Sequence, residues 1–101
     1  MTVLKSALSS RDPEFKANLA AMQALSADLR DKVAQVKLGG GEGPRKKHLD
    51  RGKLLPRERI RQLLDMGSPF LEFSQLAAHG LYDGTIASAG VSTGIGRVQG
   101  N

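Results

Sequence analysis

The middle of this sequence contains a concentration of basic side chains. Between residues 44 and 61, eight basic residues stand against only Asp50 and Glu58, so this stretch has a net charge of +6 while the whole chain has +5. The basic residues are Arg45, Lys46, Lys47, Arg51, Lys53, Arg57, Arg59 and Arg61. Such a localised charge suits a nucleic acid, an acidic protein surface or a phosphorylated cofactor, and a solvated surface is the simpler interpretation.

Two groups of glycines resemble nucleotide-binding motifs only superficially. Gly94, Gly96 and Gly100 have a spacing one residue longer than the dinucleotide fingerprint, and no helix follows them in this sequence. Residues 39–47 lack the Lys-Ser/Thr ending of a phosphate-binding loop. We interpret the first group as a strand whose bare face lets another backbone approach. We interpret the second as a flexible linker, centred on residues 39–43.

The remaining candidate groups do not have the spacing of a metal site or an activated nucleophile. His48 and His79 are far apart and outside any usual ligand spacing, and the chain has no Cys. Ser74 and Ser92 lack a G-x-S-x-G context. Without cysteine, disulfides and thiolate chemistry are excluded, and a reducing compartment is compatible with the sequence.

One long amphipathic helix is predicted before the basic stretch. Asp12 can cap it, Pro13 fits its first position, and Glu14 opposes the helix dipole. Apolar residues then recur at spacings of three or four, at Phe15, Leu19, Met22, Leu25, Leu29, Val33 and Val36. Glycines at 39–41 end the helix. Its polar face mixes both charge signs, which favours packing against protein over binding to an anionic membrane surface.

A second, shorter helix is predicted to begin at Pro56 and to stop before Gly67-Ser68-Pro69. The apolar residues expected to share its inward face are Ile60, Leu63 and Leu64. The charged residues expected to remain outside that face are Arg57, Glu58, Arg59 and Arg61.

Strand and loop are predicted after Pro69. A short apolar run contains Phe70, Leu71 and Phe73, and a turn-rich segment at 80–90 follows it. Residues 91–96 alternate apolar and small residues with the period of a strand, and residues 99–101 look like a turn. We expect this last arm to be an incomplete ladder, because the backbone groups of a lone hairpin arm need neighbours from further polypeptide.

Length and composition fit at most one small domain with a thin core. The chain has 101 residues, of which 40% are hydrophobic, but it has four aromatic residues and twelve glycines. No run approaches the roughly 20 apolar residues of a membrane-spanning helix. Residues 1–11 lack acids, as transit peptides do, but eleven residues are too few, so a bacterial start is expected.

Two classes of protein remain open on the residues alone. The first is a small nucleic-acid-binding module that uses the basic residues 45–61, although this stretch has no interleaved aromatic residues and no recognised binding motif. The second is a fragment of a larger α/β protein whose basic stretch faces a phosphate-bearing ligand or a subunit. The second class also accounts for the unfinished strand.

The order of several motifs resembles the beta (carboxyltransferase) subunits of biotin-dependent acyl-CoA carboxylases, in particular the methylcrotonoyl-CoA branch. The motifs are LGGG at 38–41, RGKLLPRERI at 51–60, LLD at 63–65, GSPFLE at 67–72 and TGIGRV at 93–98. The central part of this pattern is similar to the propionyl-CoA carboxylases as well, and geranyl-CoA carboxylase is the nearest relative that could be confused with it. The resemblance extends over most of residues 12–101.

The resemblance implies an α/β fold, in which an N-terminal helical arm precedes the first strand or strands of a crotonase-like carboxyltransferase domain, incomplete in this chain. Residues 1–43 would form the amphipathic helix and Gly-rich linker, and residues 44–101 the start of the domain. Such enzymes transfer a carboxyl group from carboxybiotin to 3-methylcrotonoyl-CoA in leucine degradation, and they stabilise an enolate oxygen with backbone N–H groups. Those motifs lie downstream in the family, so no catalytic residue, metal or cofactor is assigned to this segment, which we expect to be inactive alone.

The resemblance also implies roles for residues of the basic stretch. Arg51 and Lys53, beside Gly52, would contact the CoA phosphates. A structural or subunit contact would involve Arg57, Glu58, Arg59, Ile60, Leu63 and Leu64. The expected partners are acyl-CoA, further beta subunits and biotin-carrying alpha subunits of an ATP-binding holoenzyme, whereas membrane and nucleic acid are not expected. The location would be the bacterial cytoplasm, or the mitochondrial matrix in a eukaryote.

Overall fold

The computed structural model describes residues 2–101 and forms two compact units, one ending at Asp31 and one comprising Lys32–Asn101. The helices and strands of these residues are α1 (Pro13–Lys37), α2 (Glu42–Asp50), α3 (Pro56–Leu63), β1 (Phe70–Phe73) and β2 (Thr93–Gly96). Short turns at Tyr82–Gly84 and Ser88–Gly90, with positive φ angles at Asp83 and Ala89, lie between the strands. The observed mixture of helices and a small sheet agrees with the α/β class predicted from the sequence.

Helix α1 begins and ends where the sequence predicts. The Asp12 carboxylate accepts a hydrogen bond of 3.0 Å from the Glu14 N–H, which satisfies one of the free donors of the first turn. Gly39 ends the helix with a φ of 80° and donates its N–H to the carbonyl of Val36. The middle of the apolar stripe is exposed, with Leu19 at 45% and Met22 at 60%, whereas Phe15, Val33 and Val36 are half-buried.

Helix α2 corrects the prediction of a linker over residues 39–47. It begins at Glu42, so the non-helical connection after α1 is shorter than the sequence indicated. Pro44 lies in the first turn, where its missing N–H has no intrahelical partner to lose. An exposed ion pair between Lys46 and Asp50, at 2.7 Å, supports the helix at a spacing of four residues.

Helix α3 has Pro56 at its start, as predicted. Ile60 and Leu64 are half-buried and form its inward face. Leu63 is 64% exposed, so the prediction that it packs inward is wrong for the described residues. Leu64 follows Ile60 by four positions, whereas Leu63 follows it by three and so lies on the other side of Ile60 around the helix axis.

Strands β1 and β2 form a two-stranded antiparallel sheet in which Phe70 is paired with Gly96 and Phe73 with Thr93. The expectation that the last arm is unpaired is therefore wrong for one of its edges, because β1 supplies the neighbour. Along the other edge of β2, no strand of residues 2–101 is paired. The sheet has one face with Phe70 and Glu72 half-buried, and another on which Leu71 and Ile95 are about equally exposed, at 60% and 63%.

The glycines of β2 allow close packing rather than nucleotide binding. A Cβ at Gly94 would lie 2.5 Å from the carbonyl oxygen of Leu71 and would also overlap the ring of Phe70. A Cβ at Gly96 would overlap the side chain of Leu64. The bare face predicted at these positions is confirmed, and the groups that approach it are a ring and an aliphatic side chain as well as a backbone carbonyl.

The chain reverses direction at residues 98–101, as predicted. The Val98 N–H donates to the Asn101 carbonyl at 2.9 Å, and the Asn101 N–H donates to the Val98 carbonyl at 3.0 Å. The two central residues have positive φ angles, 49° at Gln99 and 80° at Gly100. Two positive φ angles inside a reciprocally bonded pair are characteristic of the type I′ turn that joins two-residue hairpins.

The core of the described residues is thin, as the composition indicates. No hydrophobic residue among 2–101 is fully buried, and the buried residue is Ser88, at 8% exposure. Its hydroxyl donates to the Gln75 carbonyl at 2.7 Å, and the neighbouring Ala89 N–H donates to the Ala77 carbonyl at 3.0 Å. These bonds hold the loop between the strands together by polar contacts.

Among the helices formed by residues 2–101, none is long and apolar enough to span a membrane.

Candidate functional site

An open groove lies beside α3 and β1 and is lined by both apolar and charged side chains of the second unit. Its walls include Arg57, Ile60, Leu64, Phe70, Glu72 and Gln75. Helix α3 contributes the first two side chains, and the sheet face that packs toward α3 contributes Phe70 and Glu72. The groove thus combines an apolar floor with a small number of charged groups, the composition usual for ligand or partner sites.

Arg57 and Glu72 form a two-point ion pair across this groove. Arg57 Nη1 donates to Glu72 Oε2 at 2.7 Å, and Arg57 Nη2 donates to Glu72 Oε1 at 2.6 Å. Gln75 Nε2 adds a third hydrogen bond to Glu72 Oε2 at 3.1 Å. The side chain of Glu72 is 6% exposed and that of Arg57 is 24% exposed. The prediction that Arg57 remains outside the inward face is therefore wrong, because a carboxylate of β1 draws its guanidinium inward.

The hydrogen bonds from Arg57 lower the pKa of the Glu72 carboxyl below its ordinary value. Burial acts in the opposite direction, and the charge of Arg57 lowers the pKa further. The same hydrogen bond is the main reason that the pKa of Arg57 is raised, while burial opposes this rise. Both groups are therefore charged at neutral pH, and the pair is a fixed dipole rather than a proton donor and acceptor.

The basic stretch contains more cations than its own acids can pair. Lys46 pairs with Asp50, and Arg61 pairs with Glu58 at 2.8 Å. The two acids of the stretch, Asp50 and Glu58, are thus both paired within it, and Arg57 is paired with Glu72 outside it. Side chains that form no ion pair or hydrogen bond within residues 2–101 are those of Arg45, Lys47, Arg51, Lys53 and Arg59.

Arg51 and Lys53 lie in an exposed turn that follows α2. Gly52 adopts a φ of 73° there, and its N–H donates to the Leu49 carbonyl at 2.8 Å. The backbone N–H of Lys53 donates to the carbonyl of His48 at 3.3 Å. The turn therefore presents two cations on an ordered backbone, with Gly52 supplying the left-handed conformation that other residues rarely adopt.

The histidines are not gathered with other ligand-type side chains. The His48 Nε2 atom lies 2.8 Å from the carbonyl oxygen of Leu54, so its ring joins the end of α2 to the segment before α3. Across the part of the chain that the structure describes, no cluster of three or more His, Asp or Glu residues could hold a metal ion.

Glu72 is a residue of the candidate site that the sequence analysis did not predict. It is one acidic residue in an apolar strand, and nothing in its local spacing indicates a partner fifteen positions earlier. The period of the strand did contain a signal, since Glu72 lies on the same face as Phe70. A carboxylate on the inward face of a strand requires a buried cation or donor, and the nearest basic helix supplies it.

A protein-family model for the carboxyl transferase domain matches residues 47–101. One curated relative is the mitochondrial methylcrotonoyl-CoA carboxylase beta chain of Dictyostelium discoideum, 46% identical over 99 residues that cover 97% of this chain and 17% of the relative. Another is the biotin-dependent 3-methylcrotonyl-coenzyme A carboxylase beta1 subunit of Mycobacterium tuberculosis, 58% identical over 76 residues that cover 75% of this chain and 14% of the relative.

A similar solved structure is the beta subunit of the Pseudomonas aeruginosa geranyl-CoA carboxylase. The two structures superpose with a TM-score of 0.62 at 35% sequence identity. The superposed region covers 98% of the present chain and 18% of the geranyl-CoA carboxylase subunit. The present chain thus spans less than a fifth of the length of these relatives. The match to the family model comprises more than half of the chain and includes α3, both strands and the turn at 98–101. The chain therefore belongs to the carboxyl transferase domain family.

Proposed function

We propose that this chain acts as the N-terminal segment of a carboxyltransferase subunit that transfers a carboxyl group to 3-methylcrotonoyl-CoA. The observation that supports this substrate is the level of identity. Two relatives whose names specify methylcrotonoyl-CoA or 3-methylcrotonyl-coenzyme A are 46% and 58% identical to it. The geranyl-CoA enzyme is 35% identical and remains the second candidate, because its solved structure superposes on nearly the whole chain.

The segment itself is proposed to be structural. In the proposed domain division, residues 1–43 form an arm and residues 44–101 begin the carboxyltransferase domain. Helix α3 is joined to the sheet by the ion pair of Arg57 and Glu72, which gives the start of the domain a fixed geometry. The residues proposed to contact neighbouring polypeptide in the assembled enzyme are Glu58, Arg59, Ile60, Leu63 and Leu64. The exposure of Leu63 is consistent with such a contact.

Arg51 and Lys53 are proposed to bind the CoA phosphates. Both lie in the exposed turn after α2, and their side chains make no hydrogen bond or ion pair within residues 2–101. Phosphate oxygens are strong acceptors for guanidinium and ammonium groups, and the ordered backbone of the turn holds the two residues close together. The nucleic-acid alternative has no support from the family match.

Biotin, as carboxybiotin on a partner alpha subunit, would supply the carboxyl group. No residue of this chain is assigned to that cofactor. The proposed assembly contains further beta subunits and biotin-carrying alpha subunits that bind ATP, in the pathway of leucine catabolism. The proposed location is the bacterial cytoplasm, or the mitochondrial matrix if the source is a eukaryote.

The test uses the parent subunit, by which we mean the polypeptide that contains residues 1–101 in its natural context. It is assembled with its biotin-carrying partner and supplied with ATP and radiolabelled bicarbonate. Incorporation of label is compared for 3-methylcrotonoyl-CoA, geranyl-CoA and propionyl-CoA. We expect the highest kcat/KM with 3-methylcrotonoyl-CoA. A preference for either other substrate, or no carboxylation of any of them by a folded assembly, would contradict the proposal.

A further inference from the structure

Asp65 connects the end of α3 to the chain that leaves β2. Its backbone N–H donates to the Arg97 carbonyl at 2.9 Å, which continues the contacts between the two segments beyond the paired strands. Its carbonyl accepts two bonds from Ser68, at 3.1 Å from the N–H and 2.7 Å from the hydroxyl. The main chain of Asp65 is thus fixed on both sides before its side chain is considered.

The Asp65 carboxylate binds the two central residues of the turn at 98–101. Oδ1 accepts the Gln99 N–H at 2.7 Å, and Oδ2 accepts the Gly100 N–H at 2.9 Å. The distances are in the range of charge-assisted hydrogen bonds. Two successive backbone N–H groups of a turn that point to one carboxylate form a concave anion receptor.

The Asp65 carboxylate stabilises an unfavourable backbone conformation in this turn. Gln99 has a φ of 49°, a left-handed conformation that residues with a Cβ adopt rarely, whereas the next position is a glycine that adopts it freely. In an isolated hairpin these two N–H groups would face water. A fixed negative charge compensates for the unfavourable conformation, because it is bound only when both N–H groups point in the same direction.

We propose that Asp65 is a positioning residue whose carboxylate occupies a backbone anion receptor at Gln99 and Gly100, and so sets the direction in which the chain leaves β2. This role goes beyond the transfer reaction proposed above and does not depend on the acyl-CoA used. It has a chemical consequence: when the side-chain carboxylate is removed, a small carboxylate from solution can take its place. Gln99 and Gly100 are exposed, so such an anion can reach the receptor.

The experiment measures amide hydrogen exchange of the peptide that covers residues 97–101 in the folded parent subunit. Two variants are compared with the wild type: Asp65→Asn, which retains the shape of the side chain, and Asp65→Ala, which leaves space for formate. The control is Asp50→Ala, which removes an exposed carboxylate whose partner is Lys46. Exchange of the Asp65→Ala variant is measured with added formate and with chloride at the same ionic strength.

We expect exchange at 97–101 to become roughly tenfold faster in both Asp65 variants and to be unchanged in the control. Formate, but not chloride, slows the exchange of Asp65→Ala toward that of the wild type. A role that depended on the Asp65 backbone alone would not respond to formate. The proposal is overturned if Asp65→Asn exchanges at the wild-type rate, or if formate has no greater effect than chloride.

Discussion

The guanidinium of Arg57 lies 2.7 and 2.6 Å from the two carboxylate oxygens of Glu72, and this pair joins α3 to β1. Its two parallel hydrogen bonds fix the orientation of the helix relative to the strand as well as their separation. Because Glu72 is nearly enclosed, removing one partner leaves the other desolvated and uncompensated.

Replacing Arg57 by Ala is expected to lower the local free energy of unfolding of α3 and β1 by about 2 to 3 kcal/mol, since it leaves the Glu72 carboxylate with Gln75 as its remaining hydrogen-bond partner. Amide exchange of peptides covering 56–73 in the parent subunit measures the loss. The matched control is Arg61→Ala, which removes an exposed pair with Glu58 and should cost at most about 0.5 kcal/mol. Equal losses in the two variants would contradict a special role for Arg57.

The stability of the α3–β1 contact is expected to fall in acid. The pKa of Glu72 is lowered in the folded chain, so the carboxylate stabilises the fold fully above the ordinary pKa of glutamate. This stabilisation is lost as pH decreases from that ordinary value through the lowered one. Exchange of the 56–73 peptides, corrected for the intrinsic pH dependence, should accelerate in that range for the wild type and not for Glu72→Gln. The same acid sensitivity in the Gln variant would show that another group is responsible.

Alanine at Gly94 is expected to destabilise the sheet by about 2 kcal/mol, because its Cβ would overlap the Phe70 ring and the Leu71 carbonyl, and a backbone atom cannot move aside. Gly43→Ala is the control. Gly43 lies in α2 with open space around its Cβ position, so alanine there should be neutral or stabilise the helix by up to about 1 kcal/mol. Urea-dependent exchange of the strand peptides distinguishes the two variants. A neutral Gly94→Ala would contradict the observed packing.

The sequence predicted the elements whose signals are local. The cap at Asp12, the proline at the start of α3 and the turn at residues 99–101 each depend on residues that are adjacent in the chain, and the structure confirms all three. It also confirms the bare face of Gly94 and Gly96, which the alternation of residue sizes indicates. Patterns of this kind are determined by backbone conformation and can be interpreted without knowledge of the tertiary fold.

The contacts that the sequence did not predict depend on distant pairs. Nothing near Glu72 indicates Arg57, and nothing near Asp65 indicates Gln99, because each pairing follows from the way α3 packs on the sheet. Helix α2 was missed for a different reason. Glycines at 39–43 predict flexibility, but the ion pair of Lys46 with Asp50 and the position of Pro44 favour a helix from Glu42 onward.

Replacing Arg51 and Lys53 together by Ala is expected to raise the KM of the parent enzyme for its acyl-CoA substrate by roughly tenfold, with kcat little changed, because phosphate binding is the same in the ground state and the transition state. Steady-state carboxylation kinetics measure both constants. Lys46→Ala serves as the control, since its ammonium is already paired with Asp50. An unchanged KM in the double variant would exclude a contact with the CoA phosphates.

Amide exchange of β1 and β2 in two contexts tests most directly whether this segment depends on other polypeptide for its stability. No hydrophobic residue among 2–101 is fully buried, and one edge of β2 has no strand beside it within these residues. We therefore expect the amides of 70–73 and 93–96 to exchange about a hundredfold more slowly in the assembled parent subunit than in the 101-residue chain alone. Equal protection in the isolated, monomeric chain, together with cooperative unfolding, would contradict this dependence.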